Sequence, residues 1–177
     1  MRYAMVIDTK KCVGCSDCVV ACQTENKVAN GYSKSWITES VSGQFPHSKL
    51  EFRSERCNHC YNAPCVRTCP TGASFVAEGG VVLVKSQKCI GCGACVESCP
   101  YDARFMSQAG PTDKCTFCHP RITQGQNPAC VDVCPTKCMY FGDIDDSTSE
   151  ISQLLEQRQH KTLLPEAGTA PRIFYLT

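Results

Sequence analysis

The apolar positions of this chain come in short bursts separated by polar turns, none longer than a strand or a single helix face. Tyr3-Ala4-Met5-Val6-Ile7-Asp8 is a run of strand formers that stops before Lys10-Lys11. Asp17 to Lys27 suits a short helix. Between Asn26 and Glu55, the pairs Asn30-Gly31, Ser42-Gly43 and Phe45-Pro46 read as turns around one short strand, Ser35-Trp36-Ile37-Thr38. Trp36 is expected to be a half-buried packing residue in preference to a partner-docking anchor. Ser74-Phe75-Val76 and Val81-Val82-Leu83-Val84 flank Glu78-Gly79-Gly80, which predicts an antiparallel hairpin. The acidic turn Gly142-Asp143-Ile144-Asp145-Asp146 reads as solvated surface, and Ser149 is placed to cap a helix with Ile151, Leu154 and Leu155 on one face. Thr169 to Leu176 is an apolar tail expected to dock against the body or a partner. No apolar stretch approaches the ~20 residues of a membrane-spanning helix. Met1 to Met5 runs directly into the first strand, so no secretory signal is expected.

Composition adds one anomaly to this ordinary pattern. With 177 residues, 42% apolar and 20% charged, the chain suits one globular domain or two small ones, yet it carries 17 cysteines. That density means either disulfide staples or metal. The count is odd, and most cysteines stand two residues apart, too close to bridge one another without strain, so metal is favoured.

Four motifs account for sixteen of them. Cys12, Cys15, Cys18 and Cys22 are spaced C-x2-C-x2-C-x3-C; Cys57, Cys60, Cys65 and Cys69 are spaced C-x2-C-x4-C-x3-C-P; and Cys89, Cys92, Cys95 and Cys99 repeat the first spacing with Pro100 following. The fourth is stretched, with Thr123 to Pro128 looped out between Cys115, Cys118 and Cys130, Cys134. This is the bacterial-ferredoxin run, in which three thiolates hold one [4Fe–4S] cube and the fourth ligates a neighbouring cube. The swap predicts four sets: Cys12, Cys15, Cys18 and Cys134 (first); Cys57, Cys60, Cys65 and Cys99 (second); Cys89, Cys92, Cys95 and Cys69 (third); Cys115, Cys118, Cys130 and Cys22 (fourth). All sixteen are expected to hold iron, in four [4Fe–4S] clusters. Cys138 is left over, at the place of Ala73 and Ala103, and is expected to pack rather than ligate.

The fold class that follows is α+β: two bacterial-ferredoxin-like units, one nested in the sequence of the other, with loop insertions. Residues 1–50 and 105–150 form the outer unit, 51–104 the inner unit, and 151–177 a C-terminal helix and docking tail. A basic residue precedes each leading cysteine, namely Lys11, Arg56, Lys88 and Lys114; each either stabilises the reduced state of an anionic cube or is a solvated loop residue. His59 and His119 are candidate hydrogen-bond donors to sulfur, while His47 and His160 read as surface. The formal charge of +1 treats every cysteine as neutral, whereas sixteen thiolates outweigh the charge of four cores, so the loaded protein is acidic. With Lys and Arg dispersed, no nucleic-acid partner is expected. No glycine-rich phosphate loop or nucleophile–base arrangement is present, so the chain is not catalytic alone.

The motif order, the stretched fourth motif, Asp113-Lys114-Cys115-Thr116-Phe117-Cys118, Phe141-Gly142-Asp143 and Leu164 to Arg172 resemble the four-cluster iron–sulfur subunits of molybdopterin oxidoreductases in the dimethyl-sulfoxide-reductase family. The likeness is to the polysulfide, thiosulfate and tetrathionate reductase branch. It implies an electron-transfer subunit between a molybdopterin catalytic subunit and an integral membrane quinol-binding subunit. It also implies a location peripheral to the inner membrane, on the periplasmic face by co-export with the catalytic partner, with the cytoplasmic face as second choice. By the same analogy, electrons would run through the second-, third-, fourth- and first-motif cubes in that order. A free polyferredoxin and a zinc-bound interaction module are the alternatives. The tail and the 26–55 insertion weigh against the first, and the repeated cysteine triplets against the second.

Overall fold

The computed structural model describes residues 1–177. Its elements in chain order are β1 (Tyr3–Asp8), α1 (Asp17–Glu25), β2 (Ser35–Ser42), β3 (Lys49–Arg56), α2 (Pro64–Arg67), β4 (Ser74–Val76), β5 (Val82–Val84), α3 (Ala94–Glu97), β6 (Phe105–Met106), β7 (Thr112–Asp113), α4 (His119–Ile122), α5 (Ala129–Asp132), β8 (Met139–Asp143), α6 (Glu150–Gln157), β9 (His160–Lys161) and β10 (Ile173–Leu176).

A four-stranded sheet of order β8-β1-β10-β9 anchors the chain. β1 is apolar along its length because both of its faces are covered, which fits its burial pattern. Ala4 and Val6 face α6 and pack with Ile151 and Leu176, while Met5 and Ile7 face the cysteine-rich core with Ile173 and Tyr175. β1 runs antiparallel to β8, with Met5 opposite Phe141, and parallel to β10, with Met5 opposite Ile173. The apolar tail thus docks against the body, as an interior strand of the sheet beside β1. Asp8 ends β1 buried, its carboxylate 2.6 Å from the Arg158 guanidinium.

Ser149 caps α6 as its sequence suggests, its Oγ accepting from the Ser152 amide at 3.3 Å. Ser149→Ala should weaken the helix by about 1 kcal/mol. The amides of the first turn of α6 should then exchange roughly five-fold faster, with no change at β1.

The expected β4–β5 hairpin forms, with Phe75 opposite Leu83, and its turn residues Glu78–Gly80 adopt one turn of 3-10 helix. The 26–55 insertion is larger than its turn signals suggest. β2 and β3 pair over their whole length, from Ser35 opposite Arg56 to Ser42 opposite Lys49, so the boundary expected at residue 50 falls inside β3. Trp36 and Ile37 at the root of this ribbon pack on the core, whereas Val41, Phe45 and Leu50 at its tip are exposed. The Phe52 ring lies where a Cβ on Gly14 would stand, 2.5 Å from that point, and Gly14 has φ +70°, so only glycine suits this loop between Cys12 and Cys15.

Candidate metal centres

Each motif wraps a short loop and then begins a helix on its third cysteine or next to it. Left-handed backbone at Gly14, Ser16, His59, Gly91, Gly93, Phe117 and Cys118 coils the loops tightly, so successive cysteine side chains face one side. Cys12, Cys15, Cys18 and Cys134 line one small pocket, together with Ile37, Cys138 and Met139. Cys57, Cys60, Cys65 and Cys99 line a second, with Asn58, Val82, Tyr101 and Arg104. The fourth set is joined by Asn26, whose Nδ2 is 3.6 Å from Cys22 Sγ and 3.9 Å from Cys118 Sγ. In the third set Cys95 Sγ donates to Thr112 Oγ1 at 3.4 Å, and amide hydrogen bonds from Thr112 and Gly91 hold the Cys89 thiol below its ordinary pKa, against a smaller opposing charge from Cys69. Nowhere do three His, Cys, Asp or Glu side chains converge as they would on a single ion. Thiols that encircle a space suit a multi-iron core better than zinc.

Burial pushes the Cys60 thiol up to about 12 and Cys130 up to about 11, and raises Cys115 further. Thiolate at these positions therefore needs positive charge, and two buried guanidiniums contribute some. Arg56 Nη1 donates to Cys130 Sγ at 2.9 Å, and Arg104 Nη2 donates to Cys65 Sγ at 2.9 Å. Burial opposes the charge on Arg56, but Cys130, Cys115 and Cys18 outweigh it and hold the pKa above the ordinary value. Arg56 Nε, Arg104 Nε and Nη1, and both side-chain polar atoms of Asn58 are buried with no hydrogen-bond partner. The unpaired N–H groups of Arg56, Arg104 and Asn58, buried near thiol-lined spaces, fit anionic iron–sulfur cores, so the residues present suit the group the motifs call for.

The chain matches two family models, each described as a 4Fe-4S dicluster domain, over residues 48–144 and 11–73. It is 36% identical to the arsenate respiratory reductase iron-sulfur subunit ArrB of Shewanella sp. (strain ANA-3), over 99% of this chain and 96% of that protein. It is 46% identical to protein NrfC of Escherichia coli (strain K12), over 98% of this chain and 80% of NrfC. It is 43% identical to the thiosulfate reductase electron transfer subunit PhsB of Salmonella typhi, over 89% of this chain and 83% of PhsB. The chain belongs to the iron–sulfur subunits of reductase complexes. It is thus an electron-transfer subunit and not an enzyme by itself.

Within this iron–sulfur subunit, contacts between sets give an order that differs from the expected one. Arg104 reaches Cys65 of the second set and, through Ser74, Cys69 of the third; the His59–Phe117 stack joins the second and fourth motif loops; and Arg56 reaches Cys130 of the fourth set and, through Ser54, Cys18 of the first. The sets are therefore arranged third, second, fourth, first, and the third, not the second, stands at the end. The stacked rings of His59 and Phe117 stand 3.7 Å apart, centroid to centroid. Cys92 and Cys15, in the two terminal sets, are the exposed cysteines of the chain. The x2 loops carry a sequence signal for this: Val13-Gly14 and Ile90-Gly91 at the ends against Asn58-His59 and Thr116-Phe117 inside, with Val13 and Ile90 exposed and His59 and Phe117 buried.

The basic and histidine residues also sort differently from expectation. Lys11 and Lys88 are exposed, while Arg56 and Lys114 are buried; Arg56 reaches Cys130 rather than the set of Cys57 that follows it. Lys114 Nζ donates to the Cys115 carbonyl at 2.7 Å and to that of Val82, not to a sulfur. His59 does not donate to sulfur. Its Nδ1 accepts from the Val82 amide at 3.0 Å, and burial keeps the ring neutral, with Lys114 and Arg104 adding to the effect. No hydrogen bond joins the His119 ring to a sulfur, and His47 and His160 are exposed. Cys138 is buried like Ala73 and Ala103, with its Sγ 3.4 Å from Cys134 Sγ. Arg104 was legible only as the residue five after Cys99, the place Ser74 holds after Cys69.

Proposed function

We propose that the sixteen motif cysteines hold four [4Fe–4S] cubes in the four sets given above, in two ferredoxin-like units with the inner one nested in the sequence of the outer. The subunit would relay electrons between an integral membrane quinol-oxidising subunit and a molybdopterin catalytic subunit, in a respiratory reductase of the polysulfide or thiosulfate type. When bound, each cube supplies a site that takes up and releases one electron. The observation that supports the reading is that the exposed cysteines of the chain, Cys92 and Cys15, fall in the two sets placed at the ends of the proposed row. A relay needs two accessible ends and an insulated middle. The chain's own residues provide this by burying His59 and Phe117 over the middle sets and leaving Val13 and Ile90 in solvent over the outer ones.

The names of the relatives support a catalytic partner acting on an oxyanion, since one serves an arsenate and one a thiosulfate reductase. No helix here is long and apolar enough to cross a membrane, so attachment to the inner membrane would come through the partner. We assign the complex to the periplasmic face, exported with its catalytic subunit. An affinity-tagged chain, purified anaerobically from solubilised membranes, should bring down a molybdenum-containing chain and about sixteen irons per subunit. A tagged chain that elutes alone in full yield would overturn the partnership and favour a free polyferredoxin.

A further inference from the structure

Each ferredoxin-like unit encloses one buried arginine paired with one buried serine, and both pairs lie between two cysteine sets. Between the two sets of the outer unit, Arg56 of β3 is 1% exposed; its Nη1 donates to Cys130 Sγ of the fourth set at 2.9 Å, and its Nη2 donates to Ser54 Oγ. Ser54 Oγ in turn lies 3.3 Å from Cys18 Sγ of the first set. In the inner unit, Arg104 is 4% exposed; its Nη2 donates at 2.9 Å both to Cys65 Sγ of the second set and to Ser74 Oγ. The Ser74 amide donates to Cys69 Sγ of the third set at 3.4 Å. The two constellations come from unrelated places in the sequence. Arg56 and Ser54 sit on β3, whereas Arg104 follows the third motif and Ser74 opens β4. Their likeness lies in what they connect.

Neither guanidinium belongs to any of the salt bridges of the chain. A buried arginine without a carboxylate is strongly disfavoured unless another anion stands in its place. The anions within reach are the cysteine sulfurs of two neighbouring sets. Arginine stays charged at any accessible pH, and its fork can address two acceptors at once, which a lysine ammonium does less well.

We infer that Arg56 and Arg104 are potential-setting bridges, each holding a fixed positive charge between the two cubes of one unit so that both cubes of that unit accept electrons at a higher potential. The inference rests on the four-cube reading proposed above. Adding an electron to one cube makes it more anionic and repels an electron from its neighbour, and in a low-dielectric interior that repulsion is large. A cation hydrogen-bonded to a ligand sulfur on one side, and linked through serine to a ligand of the other set, offsets the added charge on both. Lys114, also buried, is bonded to carbonyls and not to a sulfur, so it bridges no pair of ligand sulfurs as the two arginines do.

The test is an EPR-monitored redox titration of the intact complex, in which each cube takes one electron from mediator dyes poised with dithionite. Wild-type protein with four distinct signals and full iron first establishes the four-cube reading; fewer signals would remove that reading, independently of the bridges. In Arg56→Gln, the first- and fourth-set cubes should show an at least tenfold lower reduced-to-oxidised ratio at their wild-type midpoints, a displacement of about 59 mV or more for one electron. The second- and third-set cubes should not move. Arg104→Gln should give the mirror image, and Arg56→Lys and Arg104→Lys should restore most of each shift. Shifts common to all four cubes, shifts in only one cube of the unit, or none at all would overturn the inference. Should the glutamine variants lose iron, Ser54→Ala decides, because it keeps the guanidinium and cuts only its link to Cys18. A lowered potential of the first-set cube alone upholds the bridge, and an unchanged one overturns it.

Discussion

Removing the iron anaerobically with a strong chelator should unfold most of this protein rather than leave an intact shell. Of the 21 residues in its main core cluster, nine are cysteines, namely Cys18, Cys57, Cys60, Cys65, Cys95, Cys115, Cys130, Cys134 and Cys138. The helices that carry the motifs from α2 to α5 are four residues long. Such helices do not persist without tertiary support. Removing the cores would leave Arg56 and Arg104 buried beside neutral thiols, a loss of several kcal/mol for each unpaired charge. Metal binding and folding would then be coupled, as they are in small metallo-domains. Circular dichroism and amide exchange should therefore lose the native signature together with the visible charge-transfer absorption. Protection should persist, if anywhere, in the sheet around Ala4, Val6, Ile151 and Leu176, which packs apart from the cysteines. An iron-free chain with native amide protection throughout would contradict this account of the core.

Replacing Cys99 with serine should remove the cube held by Cys57, Cys60 and Cys65 and spare the one held by the rest of its own motif. Cys99 borders the space lined by the second set, with Pro100 and Tyr101 beside it. In the proposed sets its neighbours Cys89, Cys92 and Cys95 take Cys69 instead, whose sulfur accepts from the Ser74 amide at the start of β4. Iron should fall from about sixteen toward twelve per chain, as one cube of four is lost. The second-set EPR signal should vanish while the third-set signal persists. Because the second set lies between the third and fourth, electrons delivered at the third-set end should no longer reach the first. Loss of the third-set signal with the second intact would show that the motif keeps its own fourth cysteine.

The chemistry was more legible in the sequence than the fold was. Ligand spacing is a local property, set by loop geometry around a core, so sixteen of the cysteines could be grouped from their intervals alone. β1, the β4–β5 hairpin and the cap of α6 were legible for the same reason, since each rests on neighbours in the chain. β3 was not, because Lys49-Leu50-Glu51-Phe52-Arg53-Ser54-Glu55-Arg56 is polar at most positions. It is held by pairing with β2 and by ion pairs such as Arg53–Glu55 at 2.7 Å, rather than by an apolar face. That the tail docks as a strand was not legible, because a parallel partner far away in sequence leaves no local trace. Ile173 pairs beside Met5, and nothing between them announces it. The buried cations were hidden for a related reason. Arg56 was visible as a basic residue before Cys57, but its partner is Cys130, contributed by a motif from the other end of the unit.

The exposure of Cys15 and Cys92 has a consequence for handling the protein in air. Oxygen and peroxide attack thiolate and iron where solvent reaches them, so corrosion would begin at both terminals and work inward, with Cys57, Cys60, Cys65, Cys115, Cys118 and Cys130 sheltered longest. A conductor damaged in that order is disconnected from its source and its load while its interior is still sound. An aerobically prepared sample would keep its brown colour and much of its iron, and pass no current.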